Sequence, residues 1–541
     1  MKARKSTIWF FAFLFLPNSF SYGQSRGFSA PTPPIKSYWV YFKDKDRTGF
    51  DPYIFFEPKA IERRLRHGQD LFDPLDFPVN ESYLAGVGSM VDSMDVISRW
   101  LNAVNVYASQ QQAEAIKQLP FVDRVESGNR MMVPAAAKLK GLYLATLTDE
   151  QLMLLRFQTS HMKGSYFSDY GIDGRGVRIA IFDNGFPGVD VHPVFKHIVD
   201  EARIIATRDF FRNNPDVFHK NEHGTMVMSL IGGMIDSIPM GLAPGAEFLL
   251  ARTETWREPF IEEKYWLAAA EWADQLGADI ISSSLGYTYH RYFPDQMDGQ
   301  TSLVARAASI AFQKGILVVN AAGNDGGKES WKVIATPADA PGVLAVGALD
   351  YPSMLSASYS SRGPASDGRV KPNVSALGTV YVANAKGFTL QHGTSFSSPL
   401  VAGFAACLMQ MHPEWTNIQV FNALQQSATL YPYYDLSHGY GIPQADYFFR
   451  DSLQEPLPTF DFVESKNQVK VIIRYTHADV MEKVLNSGHV YYHIRDEKGN
   501  IEQYFVARVR QKEVLSFEVA NFTHGKQVFI HLAGYTASWS F

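Results

Sequence analysis

The chain has 541 residues, room for three or four domains at roughly 100 to 200 residues each. Its 46% hydrophobic and 19% charged content, with 28 Pro and 40 Gly, excludes a mainly disordered or fibrous protein. A net charge of −5, from 50 basic and 55 acidic residues, provides no overall basic field to gather nucleic acid. The single cysteine, Cys407, excludes an internal disulfide framework, a CxxC redox pair and a multi-thiolate zinc site. It lies in the apolar run 401–411 and reads as a small buried hydrophobe.

In chain order, the first 24 residues read MKARKSTIWFFAFLFLPNSFSYGQ: cations, an apolar stretch, a proline, then small and polar residues. That is the layout of an export signal, predicted over 1–23. The apolar stretch is about half of the ~20 residues that a spanning helix requires, so no integral membrane anchor is expected. The protein is therefore expected to be secreted, whether extracellular, at the cell surface or periplasmic. Residues 31–135 are predicted to form a small α+β domain, with SYWVYFKD, VISRWLNAVNVYA and FVDRVES as strands, and PKAIERRLRHG and SQQQAEAIKQLP as helices. Over 150–450 strands and helices alternate: RIAIFD is a continuous apolar strand, followed by AEFLLAR, ADIISSS and ILVVNAA with helices between them. This alternation predicts an α/β domain with a mostly parallel sheet covered on both faces and sites at the carboxyl ends of its strands. Residues 457–541 alternate in twos and predict an antiparallel β domain.

Three segments are ordinary singly and informative together. Asp183 closes the strand in IAIFDNGF, His223 stands before an apolar helix in NEHGTMVMSLIGG, and Ser395 precedes another in QHGTSFSSPLVAG. A turn-forming acid, a capping histidine and an N-cap serine would be the bland readings. Gly393, however, permits a tight turn into a helix rich in small residues, and Pro399 is expected in the first turn, where its missing N–H costs least. A hydroxyl at a helix N-terminus has unpaired N–H groups and a positive dipole end beside it, which suits acyl transfer. Asp, His, Ser is one of the chain orders in which a hydrolytic triad occurs. Asn324, in VVNAAGND, offers a side-chain amide for an oxyanion, together with the backbone N–H of Ser395.

With GRGVRIAIFDNGF, EHGTMVMSLIGG, ISSSLG, VVNAAGND, SSRGPASDGRVKPNVSALG and HGTSFSSPLVAG in that order, the sequence resembles the subtilase family of serine peptidases. The resemblance implies a subtilisin-like three-layer fold, preceded by the small α+β prodomain and followed by the antiparallel β domain. It implies Ser395 as nucleophile, His223 as proton carrier, Asp183 as its orienting acid and Asn324 in the oxyanion hole. Ser284, Leu285 and Gly286 match one wall of the substrate pocket, and Ala321, Ala322 and Gly323 the other. Small walls and a floor near Ala335 suggest an apolar residue before the cut, with the nearby Asp339 as the one acid that would favour a basic residue instead. Asn184, Met226, Leu377 and Leu400 depart from the family pattern, which bears on local packing and specificity. No cofactor is required; structural calcium is frequent in the family, but no loop here has its ligand spacing.

The N-terminal unit, in NAVNVYASQQQAEAIKQLPFVDRVES, resembles the family's inhibitory propeptide. This implies self-cleavage between Met131 and Ser160, with the propeptide as partner in cis and proteins or peptides as substrates. Two other readings compete. His219 and His223 fall in H-x-x-E-H, an inverted zinc-hydrolase pattern that requires a helix. The preceding Asn213, Asn214 and Pro215 and the interrupting Gly224 make that segment a loop. The other reading is an inactive secreted scaffold, against which all four catalytic positions being filled is the argument.

Overall fold

The computed structural model describes residues 34–541 except 46, 129–146, 256–260, 289–290, 451–455, 475–481, 483, 485–487 and 510–512. The export signal and the Lys138–Lys140 part of the expected cleavage region lie outside the described residues.

The central sheet has seven strands, in the order Val374–Leu377, Val343–Leu349, Leu317–Ala321, Ile280–Ser283, Arg178–Asp183, Glu247–Arg252 and Ile204–Asp209. Every pairing in it is parallel. All six residues of Arg178–Asp183 are buried, as a strand covered on both faces requires. Ile179 and Ile181 join one core with the helices His223–Gly232 and Thr394–Met411. Ala180 and Phe182 point the other way, into a core with helices Ile261–Gln275 and Leu303–Gln313. The period of two thus divides one strand between two layers, giving the subtilisin-like three-layer α/β fold. Cys407 is buried on the first side and its thiol donates to the Leu242 carbonyl at 3.1 Å. Burial pushes its pKa up, as a packing residue rather than a nucleophile requires.

The N-terminal unit is a four-stranded antiparallel sheet, in the order Ser93–Ser98, Ala103–Ala108, Lys36–Phe42, Val122–Ser127. VISRWLNAVNVYA is therefore two strands and not one. The chain reverses at 99–102, where Ser98 Oγ accepts from Leu101 N at 3.1 Å and Asn102 takes a φ of +48°. Apolar residues on both arms hide that turn from a reading by periodicity. The expected helix is observed as Pro58–Arg66, and the helices Pro52–Phe55 and Glu81–Gly88, not expected from sequence, also lie between the first two strands. Helix Asp149–Ser160 belongs to the large domain: it buries Leu155 in that core, and Gln158 Oε1 accepts from Tyr381 N at 2.7 Å.

The C-terminal β domain has antiparallel sheets of three and four strands around Phe460, Val471, Val490, Val528 and Ile530. It stacks His493 on Tyr433 of the large domain, ring centroids 4.9 Å apart. Among the described residues no helix is long and apolar enough to cross a membrane.

Candidate active site

Three neighbouring strands end on one side of the sheet and bring the sequence-predicted residues there. Asp183 is the last residue of its strand, Ser284 follows Ile280–Ser283, and Asn324 stands three residues beyond Leu317–Ala321. The Asp183 carboxylate is fully buried, and Asn184 N donates to its Oδ1 at 2.8 Å. His223, first residue of its helix, places Nδ1 2.9 Å from both Asp183 oxygens. A carboxylate can only accept, so Nδ1 carries the proton and Nε2 is left with a lone pair. Burial lowers the imidazole pKa; the charge and hydrogen bond of Asp183 outweigh it, leaving the pKa above its ordinary value of 6.5.

Ser395 is the second residue of helix Thr394–Met411, which Gly393 enters at φ +151°, a conformation that a side chain would strain. Its neighbour Phe396 packs on His223, ring centroids 5.4 Å apart, so the serine and the imidazole share one end of the cleft. Ser395 Oγ donates to the Ser284 carbonyl at 3.3 Å. Pro399 corrects an expectation: it is the sixth helical residue, not part of the first turn. Lacking an N–H, it leaves the Ser395 carbonyl without its helical donor. Ser284 Oγ donates to that carbonyl at 2.8 Å instead, which ties the serine to the neighbouring wall. A proline four residues after a serine in a helix was the available signal for this brace, and the sequence reading missed it.

Thr394 has a role that sequence did not suggest. Asn324 Oδ1 accepts from Thr394 N at 2.9 Å and from Thr394 Oγ1 at 3.0 Å. With the oxygen held inward, the amide Nδ2 is the end left for the cleft, beside Gly393. Asn320, on the strand leading there, donates Nδ2 to the Leu285 carbonyl at 2.8 Å and fixes one wall against the other.

Ser284, Leu285 and Gly286 lie opposite Ala321, Ala322 and Gly323, with Ala335 between them. A methyl group added to Gly286 would come within 2.9 Å of the Ala335 side chain, and one added to Gly323 within 3.1 Å. Both glycines therefore come close to the side chain of the buried Ala335. Asp339 is fully buried, and its carboxylate accepts from Gly299 N at 2.8 Å. Burial raises its pKa to about 6.

His219 is not joined to His223. Its ring lies 3.5 Å from Asp209 and 3.6 Å from Asp216, in the loop before the helix that His223 begins. Among the described residues no group of three His, Cys, Asp or Glu side chains is placed to hold a metal ion. Of the departures from the family pattern, Met226, Leu377 and Leu400 are buried packing residues. Asn184 contributes its backbone N–H to Asp183.

Sequence comparison identifies two family domains in the chain. The Subtilase family matches residues 174–442, and the Peptidase S8 propeptide domain of Bacteroidota matches residues 37–140. The chain is 30% identical over 264 residues to Subtilisin Savinase of Lederbergia lenta, covering 48% of this chain and 86% of that protein. It is 27% identical over 337 residues to Subtilisin E of Bacillus subtilis (strain 168), covering 61% of this chain and 76% of the relative. Among solved structures, Sphericase aligns with 28% identity and a TM-score of 0.43, over 50% of this chain and 92% of that one. The chain belongs to the subtilase family of serine endopeptidases and carries that family's propeptide domain.

Proposed function

We propose that Ser395, His223 and Asp183 form the catalytic triad, with Asn324 Nδ2 and the Ser395 backbone N–H as the oxyanion hole. The observation that carries the reading is the pair of 2.9 Å contacts from the buried Asp183 carboxylate to His223 Nδ1, beside the N-terminus of the helix bearing Ser395. An extended substrate takes the Ser284 carbonyl, and Ser395 Oγ turns from it toward His223 Nε2. His223 accepts the hydroxyl proton as Oγ attacks the peptide carbonyl and later gives it to the leaving amine. Asp183 holds the tautomer and stabilises the imidazolium. Negative charge on the carbonyl oxygen is met by Asn324 and the helix N-terminus. Water then repeats the sequence on the acyl-enzyme. Every step uses groups of this chain.

The small, uncharged residues Gly286, Gly323 and Ala335, close together beside the serine, support an apolar residue before the cut. Self-cleavage falls between Met131 and Thr148, since Asp149–Ser160 is part of the enzyme core. The layout of residues 1–24 supports export. The test is expression of Ser395→Ala beside the parent: a full-length precursor and no casein hydrolysis in the variant only. Equal hydrolysis by both removes Ser395 as nucleophile; no hydrolysis by either favours the inactive scaffold.

A further inference from the structure

Segment 284–286 is held from behind by buried charge that the triad does not use. Glu254 follows the strand Glu247–Arg252, and its N–H and that of Thr253 donate to the Asp183 carbonyl at 3.3 and 2.9 Å. Its side chain reaches the other way: Tyr287, the residue after Gly286, donates its hydroxyl to Glu254 Oε1. Tyr287 is in turn paired with the residue after Ala335. Its N–H donates to the Thr336 carbonyl at 2.9 Å, and its carbonyl accepts from Thr336 N at 3.3 Å. One carboxyl thus joins the backbone behind Asp183 to the segments that carry Gly286 and Ala335.

That carboxyl is not a free anion. Glu254 is 4% exposed, and Glu262 and Glu263, in the first turn of helix Ile261–Gln275, are fully buried. Arg291 faces them, 3.1 Å from Glu262 and 3.2 Å from Glu263, and Tyr292 donates to Glu263 at 2.6 Å. Glu262 Oε1 also accepts from Thr255 N at 2.8 Å and from Thr255 Oγ1 at 3.0 Å, so its donors stabilise the anion. The Glu254 and Glu262 carboxyls hydrogen-bond each other. Two carboxylates can only accept, so this contact requires one proton between them. Burial and the neighbouring Glu262 charge raise the Glu254 pKa well above its ordinary value of 4.5, which puts the proton on Glu254. Arg306 of helix Leu303–Gln313 adds positive charge on the Glu263 side. Among the described residues, two cations therefore face three carboxyls, and one carboxyl is left neutral.

We propose that Glu254 is a positioning residue for the substrate: through Tyr287 it holds segment 284–286 and Ala335 at the spacing that an extended peptide requires. The proposal rests on the reading that these segments bind substrate. As the acid, Glu254 donates to Glu262 and accepts from Tyr287, and the bridge is closed. Ionised, it sets a second negative charge against Glu262 in a site sealed from water, and the bridge opens. Peptide binding then weakens at alkaline pH while the chemistry at Ser395 does not.

The experiment compares the parent with two variants. Glu254→Gln is the conservative one: its amide keeps an acceptor for Tyr287 and a donor for Glu262 but has no proton to lose. Tyr287→Phe lacks the hydroxyl. In the processed parent, KM for a chromogenic peptide is expected to rise at least about fivefold from neutral to alkaline pH with kcat level, the low end of the loss when a buried polar group is left unpaired. Glu254→Gln should keep the neutral-pH KM throughout, and Tyr287→Phe should show the raised KM already at neutral pH. A parent KM that is flat with pH, a rise that persists in Glu254→Gln, or a lowered Tm with unchanged KM in Tyr287→Phe overturns the proposal. If Glu254→Gln does not fold, Tyr287→Phe decides alone. Infrared spectra of the full chain as Ser395→Ala, with and without Glu254→Gln, read the same proton without catalysis. Loss of one protonated-carboxyl band at neutral pH is expected, and identical spectra overturn the proposal. A parent that shows the band but hydrolyses no peptide counts against the triad reading, not against the bridge.

Discussion

The two ends of one parallel sheet are built on opposite terms. At the carboxyl ends, Ser395 is part-exposed and its hydroxyl has a single 3.3 Å bond, so it is free to change partner. At the amino ends, Arg63 and Arg64 of the prodomain meet Asp274 of the large domain, all sealed from water and tied to several partners each. Reaction requires groups that exchange protons and water, and the contact between domains requires charges that do neither. One buried group is common to both ends in kind: Asp183 is as inaccessible as Asp274 but faces a single, part-exposed histidine, whose proton can leave.

Substitutions at the carboxyl end should abolish turnover and leave the contact with the prodomain intact. The largest effect is expected for His223→Ala, a fall in kcat of about a millionfold, the size of loss measured for that position in subtilisin itself. Asp183→Asn should cost about 10,000-fold by leaving the wrong tautomer. Asn324→Ala should cost about 100- to 1000-fold in kcat with little change in KM, a range taken from subtilisin itself. Steady-state kinetics on a chromogenic peptide check all three; a KM effect that matches the kcat loss for Asn324→Ala would assign the amide to substrate binding instead.

The same contrast has a pH form. His223 must be neutral to accept a proton, and its pKa is held above 6.5, so kcat/KM should rise through an apparent pKa higher than that of a free imidazole. Because the folded-state pKa is raised, the contribution of His223 to stability is full below the unfolded value and is lost as pH rises through the folded one. Activity and this part of the stability therefore change in opposite directions with pH. Paired pH–rate and pH–melting profiles test this, and parallel profiles would contradict it. The C-terminal domain has histidines of the other kind: burial lowers the pKa values of His493 and His531 to about 4. Their contribution is present above the unfolded value near 6.5 and falls as pH drops toward 4, so the β domain should loosen in that window, as hydrogen exchange at its strands would show.

The smallest expected effect is at the brace between the walls. Ser284→Ala deprives the Ser395 carbonyl of its donor and should cost about 1 to 2 kcal/mol of stability, with a fewfold loss of kcat. Thermal melting checks the first part, and an unchanged Tm would show that the proline-freed carbonyl finds water instead.

What was legible in the sequence follows from the range of each interaction. Asp183, His223, Asn324 and Ser395 sit in short segments whose turn glycines and helix starts are local, so their neighbourhoods could be read and then assembled. The segments proposed as pocket walls, 284–286 and 321–323, are short and local in the same way. Pro399 was read correctly as a helical proline but misplaced, because the first turn begins at Thr394 and sequence alone does not fix that boundary. The hairpin at 99–102 was hidden because its residues, Arg99, Trp100, Leu101 and Asn102, include no glycine or proline to mark a turn. The prodomain contact was illegible: Arg63 and Asp274 are 211 residues apart, and each alone looks like an ordinary charge on a helix.

The central claim, that Ser395 is the nucleophile activated by His223, is tested most directly by labelling the processed enzyme with a peptidyl phosphonate and mapping the adduct by mass spectrometry. One phosphonyl group on the peptide containing Ser395, with labelling that rises with pH in step with kcat/KM and is lost in His223→Ala, is the predicted result. Full proteolysis without an adduct, or an adduct on a different residue, would contradict the account.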